Sequence, residues 1–233
     1  MKVGLLECDH VREELVHIAG DYREMFPALF RAVDAGWEFQ FYDVCNGVFP
    51  EDISECDAYI CTGSKSSVYD DEPWITRLKQ LVSDISKSDK KYIGVCFGHQ
   101  MMAEALGGKV QKAAVGWCVG VHYFEILKQE SWMEPARPDL NLLMMCQDQV
   151  IQLPENSVVL AETVDCPVGM FQTGENMLGI QAHPEFPKSY EKALIELRTE
   201  RIGAAKAEMA VMSLELPVNA LTMASWIRNF AEL

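Results

Sequence analysis

Short apolar runs alternate with stretches of helical period along the first hundred residues. KVGLLE, FQFYDV, DAYICT and YIGVC read as strands, the last apolar on both faces as a central parallel strand is. Between the first two, Tyr22, Met25, Phe26, Leu29, Phe30 and Val33 recur at helical spacing, with Gly36 as the stop and Pro27 placed as a first-turn proline. Beyond DAYICT and a polar loop, Pro73 opens a helix that carries Trp74, Leu78, Leu81, Val82 and Ile85 on one face. The acids Asp70, Asp71 and Glu72 in front of it suit the positive end of that helix. HQMMAEAL is the next helix, stopped by Gly107 and Gly108.

From about Gly116 the pattern changes. VGVHYFEI, QVIQL, SVVLAET, VGMFQ and MLGIQAH are strand-like and separated by short turn segments such as TGEN. From Lys188 the chain is helical in character, ending in LTMASWIRNFAEL with Leu221, Met223, Trp226, Ile227 and Phe230 apolar. The pattern predicts an α/β fold: a doubly wound, mainly parallel central sheet flanked by helices, with additional antiparallel strands at one edge. With no linker, repeat or low-complexity segment, residues 1–190 are expected to form one domain, and 191–233 a helical extension packed on it.

Composition narrows the partners. The 233 residues hold 35 acidic and 20 basic side chains, a formal charge of −15, with no Lys/Arg run. Such a chain repels phosphate backbones and anionic lipid, so neither nucleic acid nor membrane is expected as a partner. No apolar run is long enough to cross a bilayer, and the first ten residues read as a buried strand rather than a signal peptide. Cys8, Cys45, Cys56, Cys61, Cys96, Cys118, Cys146 and Cys166 are scattered, with no CxxC pair and no zinc-ligand spacing. Reduced thiols in the cytoplasm are the expectation, with no metal and no cofactor.

One cysteine stands apart. Gly94-Val95-Cys96-Phe97-Gly98 joins an apolar strand to a helix, the arrangement of a nucleophile elbow. The flanking glycines give strand and helix room to approach closely. The helix aims its N-terminal N–H groups at the sulfur, which favours the thiolate. Alone, the motif fits a buried cysteine at a turn equally well. His183-Pro184-Glu185 changes the balance, because residues i and i+2 of an extended chain point to the same side. Glu185 would then hold the His183 ring and the ring would face the thiol, the logic of nucleophile, base and orienting carboxylate.

GVCFGHQMMAEALGGKV and, much later, GIQAHPEF resemble the class I (triad) glutamine amidotransferases, and more closely the stand-alone proteins related to the amidotransferase domain of GMP synthase. The resemblance covers roughly Met1 to Tyr190. It implies a flavodoxin-like amidotransferase fold and a hydrolase with a Cys-His-Glu triad. Cys96 would attack the glutamine side-chain amide to give a γ-glutamyl thioester, His183 would protonate the departing ammonia and then activate water, and Glu185 would orient and charge-stabilise His183. TGSKSSVYDDEPWI stands where the family has its oxyanion loop, so the backbone N–H groups of Phe97 and of the Gly63-Ser64 loop are the expected oxyanion donors. By the same resemblance Gln100 and Gln147 are candidate substrate contacts.

Two departures stand out. Met145-Cys146 occupies the place where many relatives read Ser-His, replacing an imidazole with a weak donor. No synthetase domain is joined to this chain, so ammonia released here would need a separate synthase. Glutamine hydrolysis is the first expectation; a γ-glutamyl peptidase acting on glutathione-like compounds is the alternative, and an elbow-cysteine stress or redox protein a distant third. Elsewhere, Trp117 and Cys118 read as core before pocket wall. His99 reads as packing or capping, and His10, His17 and His122 as isolated structural or exposed residues.

Overall fold

In the computed structural model, which describes all of residues 1–233, β1 (Lys2–Leu6) leads through α1 (Glu13–Ala19) and α2 (Tyr22–Arg31) to β2 (Glu38–Tyr42), and the two strands pair in parallel. β3 (Ala58–Cys61), α3 (Pro73–Ile85), β4 (Lys91–Val95) and α4 (Phe97–Ala105) continue the alternation. There follow β5 (Lys109–Lys112), β6 (Cys118–Ile126), β7 (Asp139–Cys146), β8 (Asp148–Gln152), β9 (Ser157–Thr163), β10 (Cys166–Thr173) and β11 (Met177–Ile180). The chain closes with α5 (Lys188–Leu197), α6 (Thr199–Ile202), α7 (Ala204–Ser213) and α8 (Ala220–Ala231).

Nine strands form one sheet in the order β2-β1-β3-β4-β11-β10-β9-β6-β7. The first five are mutually parallel and the rest antiparallel. This is the doubly wound sheet with an antiparallel edge that the alternation predicts. Three strands depart from expectation, among them β5, KVQK, which is not among the expected strands. QVIQL, as β8, leaves the main sheet and pairs with β5 in a separate ribbon. DLNLLMMC, not among the expected strands, is β7.

Period-two alternation divides the core between the two faces of the sheet. Val3, Leu5, Ile60, Ile93, Val95, Leu178 and Ile180 pack with side chains of α1, α2, α5 and α8. Leu6, Tyr59, Cys61, Tyr92 and Met177 pack on the other side with α3 and α4. Trp226 and Phe230 of α8 are fully buried in the same cluster as Val3 and Phe26. No helix is long and apolar enough to cross a membrane.

Helix α2 begins at a capping box in which Asp21 and Glu24 serve each other's backbone. Pro27 lies in its second turn, not the first as expected, on a partly exposed side where water can serve the carbonyl left without an N–H. The helix ends at Arg31, before Gly36, and Asp34 (φ 54°) makes the left-handed turn.

The register brings the carboxyl ends of the central strands level. Leu6 lies opposite Cys61, Cys61 opposite Gly94, and Val95 opposite Ile180. Residues just beyond these positions therefore meet at one edge, where open α/β sheets bind ligands. β7 is four places from β11 in the sheet, yet its Leu143 carbonyl accepts the His183 N–H at 2.8 Å. The antiparallel arm thus curls back and closes one side of that edge.

Candidate active site

Cys96 sits between β4 and α4 with φ 51° and ψ −99°, a conformation that costs a residue bearing a Cβ about 1–3 kcal/mol. The turn is forced by its neighbours. A Cβ on Gly94 would lie 2.3 Å from the Gly98 carbonyl oxygen, and one on Gly98 would lie 2.3 Å from that of Cys61. Both glycines are therefore required for strand and helix to approach this closely. The Cys96 N–H donates to the Ile180 carbonyl (2.8 Å) and that of Gly98 to the Thr62 carbonyl (3.2 Å), so the turn is tied to β11 on one side and to the end of β3 on the other. Phe97 opens α4, so its N–H has no acceptor within that helix.

His183 lies just past β11, buried beside the Cys96 side chain. Its Nδ1 pairs with Glu185 Oε1 at 2.8 Å, which leaves Nε2 for the sulfur. The Phe186 ring covers one face of the imidazole at 4.0 Å and 5°. Glu185 is not the first-turn acid of a helix, since α5 begins only at Lys188. Its second oxygen, Oε2, is buried with no protein partner, so the ring is the one group that balances this carboxylate. Burial opposes a charge on His183, but the Glu185 carboxylate and the Cys96 sulfur outweigh it and hold the imidazolium well above the usual histidine range. A further buried carboxyl, Glu191 of α5, accepts the Gly120 N–H at 3.2 Å; burial pushes its pKa up to about 7.

Gly63 closes the other side of the ring. A Cβ there would stand 2.7 Å from His183 Cε1, and the stacked, carboxylate-bound imidazole can yield only by moving off the sulfur. Gly63→Ala is expected to lower kcat by about a hundredfold while the melting temperature changes little. Wild-type turnover in that variant would show that the ring is positioned by something else.

A cleft opens over Cys96 and His183. Ser64, Gln100, Met145, Cys146 and Gln147 line it, together with Trp117 and the α5–α6 arginines Arg198 and Arg201. Gln100 is buried; its amide donates to the Asp148 carbonyl (2.7 Å) and to Gln181 Oε1 (3.1 Å). Ser64 Oγ accepts the Ser66 N–H (3.1 Å), a local turn that shapes the loop beside Gly63. Asp148 fastens that loop to β8 by accepting from Ser67 Oγ (2.5 Å) and Tyr69 OH (3.0 Å). Cys146 lies opposite Cys118 in the β6–β7 register, so a buried thiol stands in the cleft wall where relatives place an imidazole.

Several expectations are corrected. Trp117, half-buried against the core, is also cleft wall, with the Arg201 guanidinium 5.5 Å over its ring. His10 is not isolated: its nitrogens meet Asp21 (2.7 Å) and Asp43 (3.2 Å). Asp70 serves the Ser67 N–H (2.8 Å) rather than the end of α3, where Glu72 is the capping position. His99 is packing, as read: fully buried, edge-on to Phe171, its pKa driven down to about 3 by burial. Sequence reasoning passed over Arg198, Arg201 and β7, all of which border the site.

Comparison with known proteins agrees with the fold. The fold superposes on a glutamine amidotransferase from Thermotoga maritima with a TM-score of 0.80, at 21% identity and with 100% of this chain and 99% of that one covered. Gamma-glutamyl peptidase 4 of Arabidopsis thaliana is 32% identical over 174 residues, 72% of this chain and 68% of that protein. The glutamine-hydrolyzing GMP synthase subunit of Methanosphaera stadtmanae is 31% identical over 114 residues, 48% of this chain and 61% of that one. Residues 48–199, which contain the elbow and the His-Pro-Glu segment, match the family described as Glutamine amidotransferase class-I. The chain belongs to the class I glutamine amidotransferase family.

Proposed function

We propose that the chain is a thiol hydrolase of γ-glutamyl amide bonds, acting through a γ-glutamyl thioester on Cys96, with γ-glutamyl peptides preferred over free glutamine. The observation that carries the chemistry is the strained Cys96 in contact with a His183 whose far nitrogen is held by Glu185. Substrate choice is supported by similarity to Arabidopsis proteins named gamma-glutamyl peptidase. It is also supported by a cleft that runs past Cys96 to Trp117 and Arg201, further than a leaving ammonia requires. This reverses the order of preference that the sequence suggested.

The steps follow from the residues. The Cys96 sulfur attacks the γ-carbonyl carbon, and the oxyanion is met by the N–H of Phe97 and one from the Gly63-Ser64 loop. The His183 imidazolium gives its Nε2 proton to the departing nitrogen, and the C–N bond breaks to leave the thioester. Neutral His183 then takes a proton from water, the hydroxyl adds to the thioester, and the sulfur leaves with glutamate released. Glu185 keeps the Nδ1 proton in place throughout and offsets the positive ring. Gln100 and Gln147, with Asp148 beside them, line the Cys96 side of the cleft and would meet the amino-acid end of the glutamyl group.

The test is kinetic. On the isolated chain, kcat/KM for a γ-glutamyl dipeptide is expected to exceed that for glutamine by a hundredfold or more, roughly 2.7 kcal/mol of transition-state discrimination. A clear preference for glutamine would instead support the second reading, an ammonia-releasing amidotransferase that serves a separate synthase, as the likeness to a GMP synthase component suggests.

A further inference from the structure

Cations are scarce in this chain and crowd the cleft. Against an overall charge of −15, Arg12, Lys65, Lys112, Arg198 and Arg201 border it, with only Asp9 and Asp148 as acids. Lys65 is taken by Asp9 (2.6 Å), Arg12 lies 3.8 Å from Glu14, and Asp148 is engaged by Ser67 and Tyr69. Lys112, Arg198 and Arg201 are in no ion pair. Arg198 is half-buried, and a guanidinium withdrawn from water without a carboxylate is a costly arrangement that an anion would complete. Arg201, three residues on and so on the same side of the short α6, lies over the Trp117 ring, which fixes its plane at the cleft wall.

Position indicates which end of a substrate the pair would meet. Gln100, Gln147 and Asp148 lie on the Cys96 side of the cleft. Arg198 and Arg201 border that side and also the side that holds His183, the group that would protonate the leaving nitrogen. Whatever departs with that nitrogen therefore passes along the two arginines. Their planar forks match a carboxylate in bidentate fashion, a geometry a lysine does not offer.

We propose that Arg198 and Arg201 form the leaving-group subsite, and that the preferred substrate is a γ-glutamyl peptide whose departing amine carries a free carboxylate. This rests on the γ-glutamyl hydrolase reading above. Arg201 lies beyond the segment that matches the family, so the subsite is assembled partly from the helices that follow it. The subsite distinguishes a free peptide terminus from a blocked one and from ammonia.

Three substrates with the same glutamyl end test this: γ-glutamyl-alanine, its C-terminal amide, and γ-glutamyl-p-nitroanilide. The wild-type protein is expected to favour the free acid over the amide by at least about tenfold in kcat/KM, the scale of one charge-assisted hydrogen bond. Arg198→Gln/Arg201→Gln is expected to lose about a hundredfold on the free acid, mainly in KM, and to stay within about twofold of wild type on the amide and the anilide. Arg198→Lys/Arg201→Lys should recover part of the loss, as a charge without the fork. An equal loss on all three substrates would overturn the proposal, because the arginines would then serve the glutamyl α-carboxylate. No preference for the free acid in wild type would overturn it too. Calorimetric titration of γ-glutamyl-alanine into Cys96→Ala reads the subsite without turnover. If no substrate is hydrolysed yet this binding weakens on removal of the arginines, the hydrolase reading fails and the subsite stands; if binding is indifferent to them, the subsite fails.

Discussion

Cys96→Ala is expected to fold normally and to lose at least about four orders of magnitude in kcat, about 5.4 kcal/mol of transition-state stabilisation. No other thiol can replace it. Cys8, Cys56, Cys61, Cys118, Cys146 and Cys166 are buried in strands or within two residues of one, and burial is the largest influence raising the pKa of Cys8, Cys45 and Cys166. Alanine keeps the Cβ and hence the strain at φ 51°, so Cys96→Ala should melt close to wild type. Cys96→Gly relieves that strain, of about 1–3 kcal/mol, against about 0.5–1 kcal/mol of added freedom in the unfolded chain. It should be as inactive as Cys96→Ala but melt higher. A glutamine-like chloroketone should label wild-type Cys96 and leave both variants unmodified, which mass spectrometry of the intact protein reads directly. Residual hydrolysis above a hundredth of wild type in Cys96→Ala would falsify the thioester mechanism.

The parts legible in the sequence are those whose structure is set within a few residues. The βα alternation up to Leu106, α1 apart, is legible because each parallel strand is a short run bounded by polar turns, and α2 and α3 each show one apolar face. The elbow reads because Gly94 and Gly98 are needed for a contact between immediate neighbours. β7 escapes notice because Leu142-Leu143-Met144-Met145 is apolar without alternation, and methionine has no preference for strands. Its contribution, a carbonyl to His183 N–H and Met145-Cys146 in the cleft wall, depends on the curl of the whole antiparallel arm. Arg198 and Arg201 look like the solvated face of a helix in sequence; only the turn between α5 and α6 brings them over Cys96. Gln100 is legible only through the resemblance, as a substrate contact; that its amide donates to the Asp148 carbonyl and to Gln181 depends on pairings 48 and 81 residues away in sequence.

The second large effect is expected at Glu185, where charge and hydrogen bonding separate cleanly. Glu185→Gln keeps the volume and an oxygen that accepts from Nδ1, so His183 holds its orientation while the carboxylate charge is lost. In the wild type that charge, with the sulfur, overcomes burial and keeps the ring protonated well above the usual histidine range. Without it, burial pulls the His183 pKa down, and the sign follows: a ring whose protonated form is active loses activity as pH rises through its pKa. The alkaline limb of kcat/KM should therefore move to lower pH in Glu185→Gln, with a loss of about a hundredfold at pH ~8 and a smaller one at pH ~6. Glu185→Asp, which keeps the charge on a shorter stem, should lose rate with a smaller displacement of the limb. A purely structural Glu185 would lower kcat equally at every pH. Coincident profiles for Glu185→Gln and wild type, scaled by one factor, would remove the carboxylate from the proposed chemistry and leave it a packing residue beneath the imidazole.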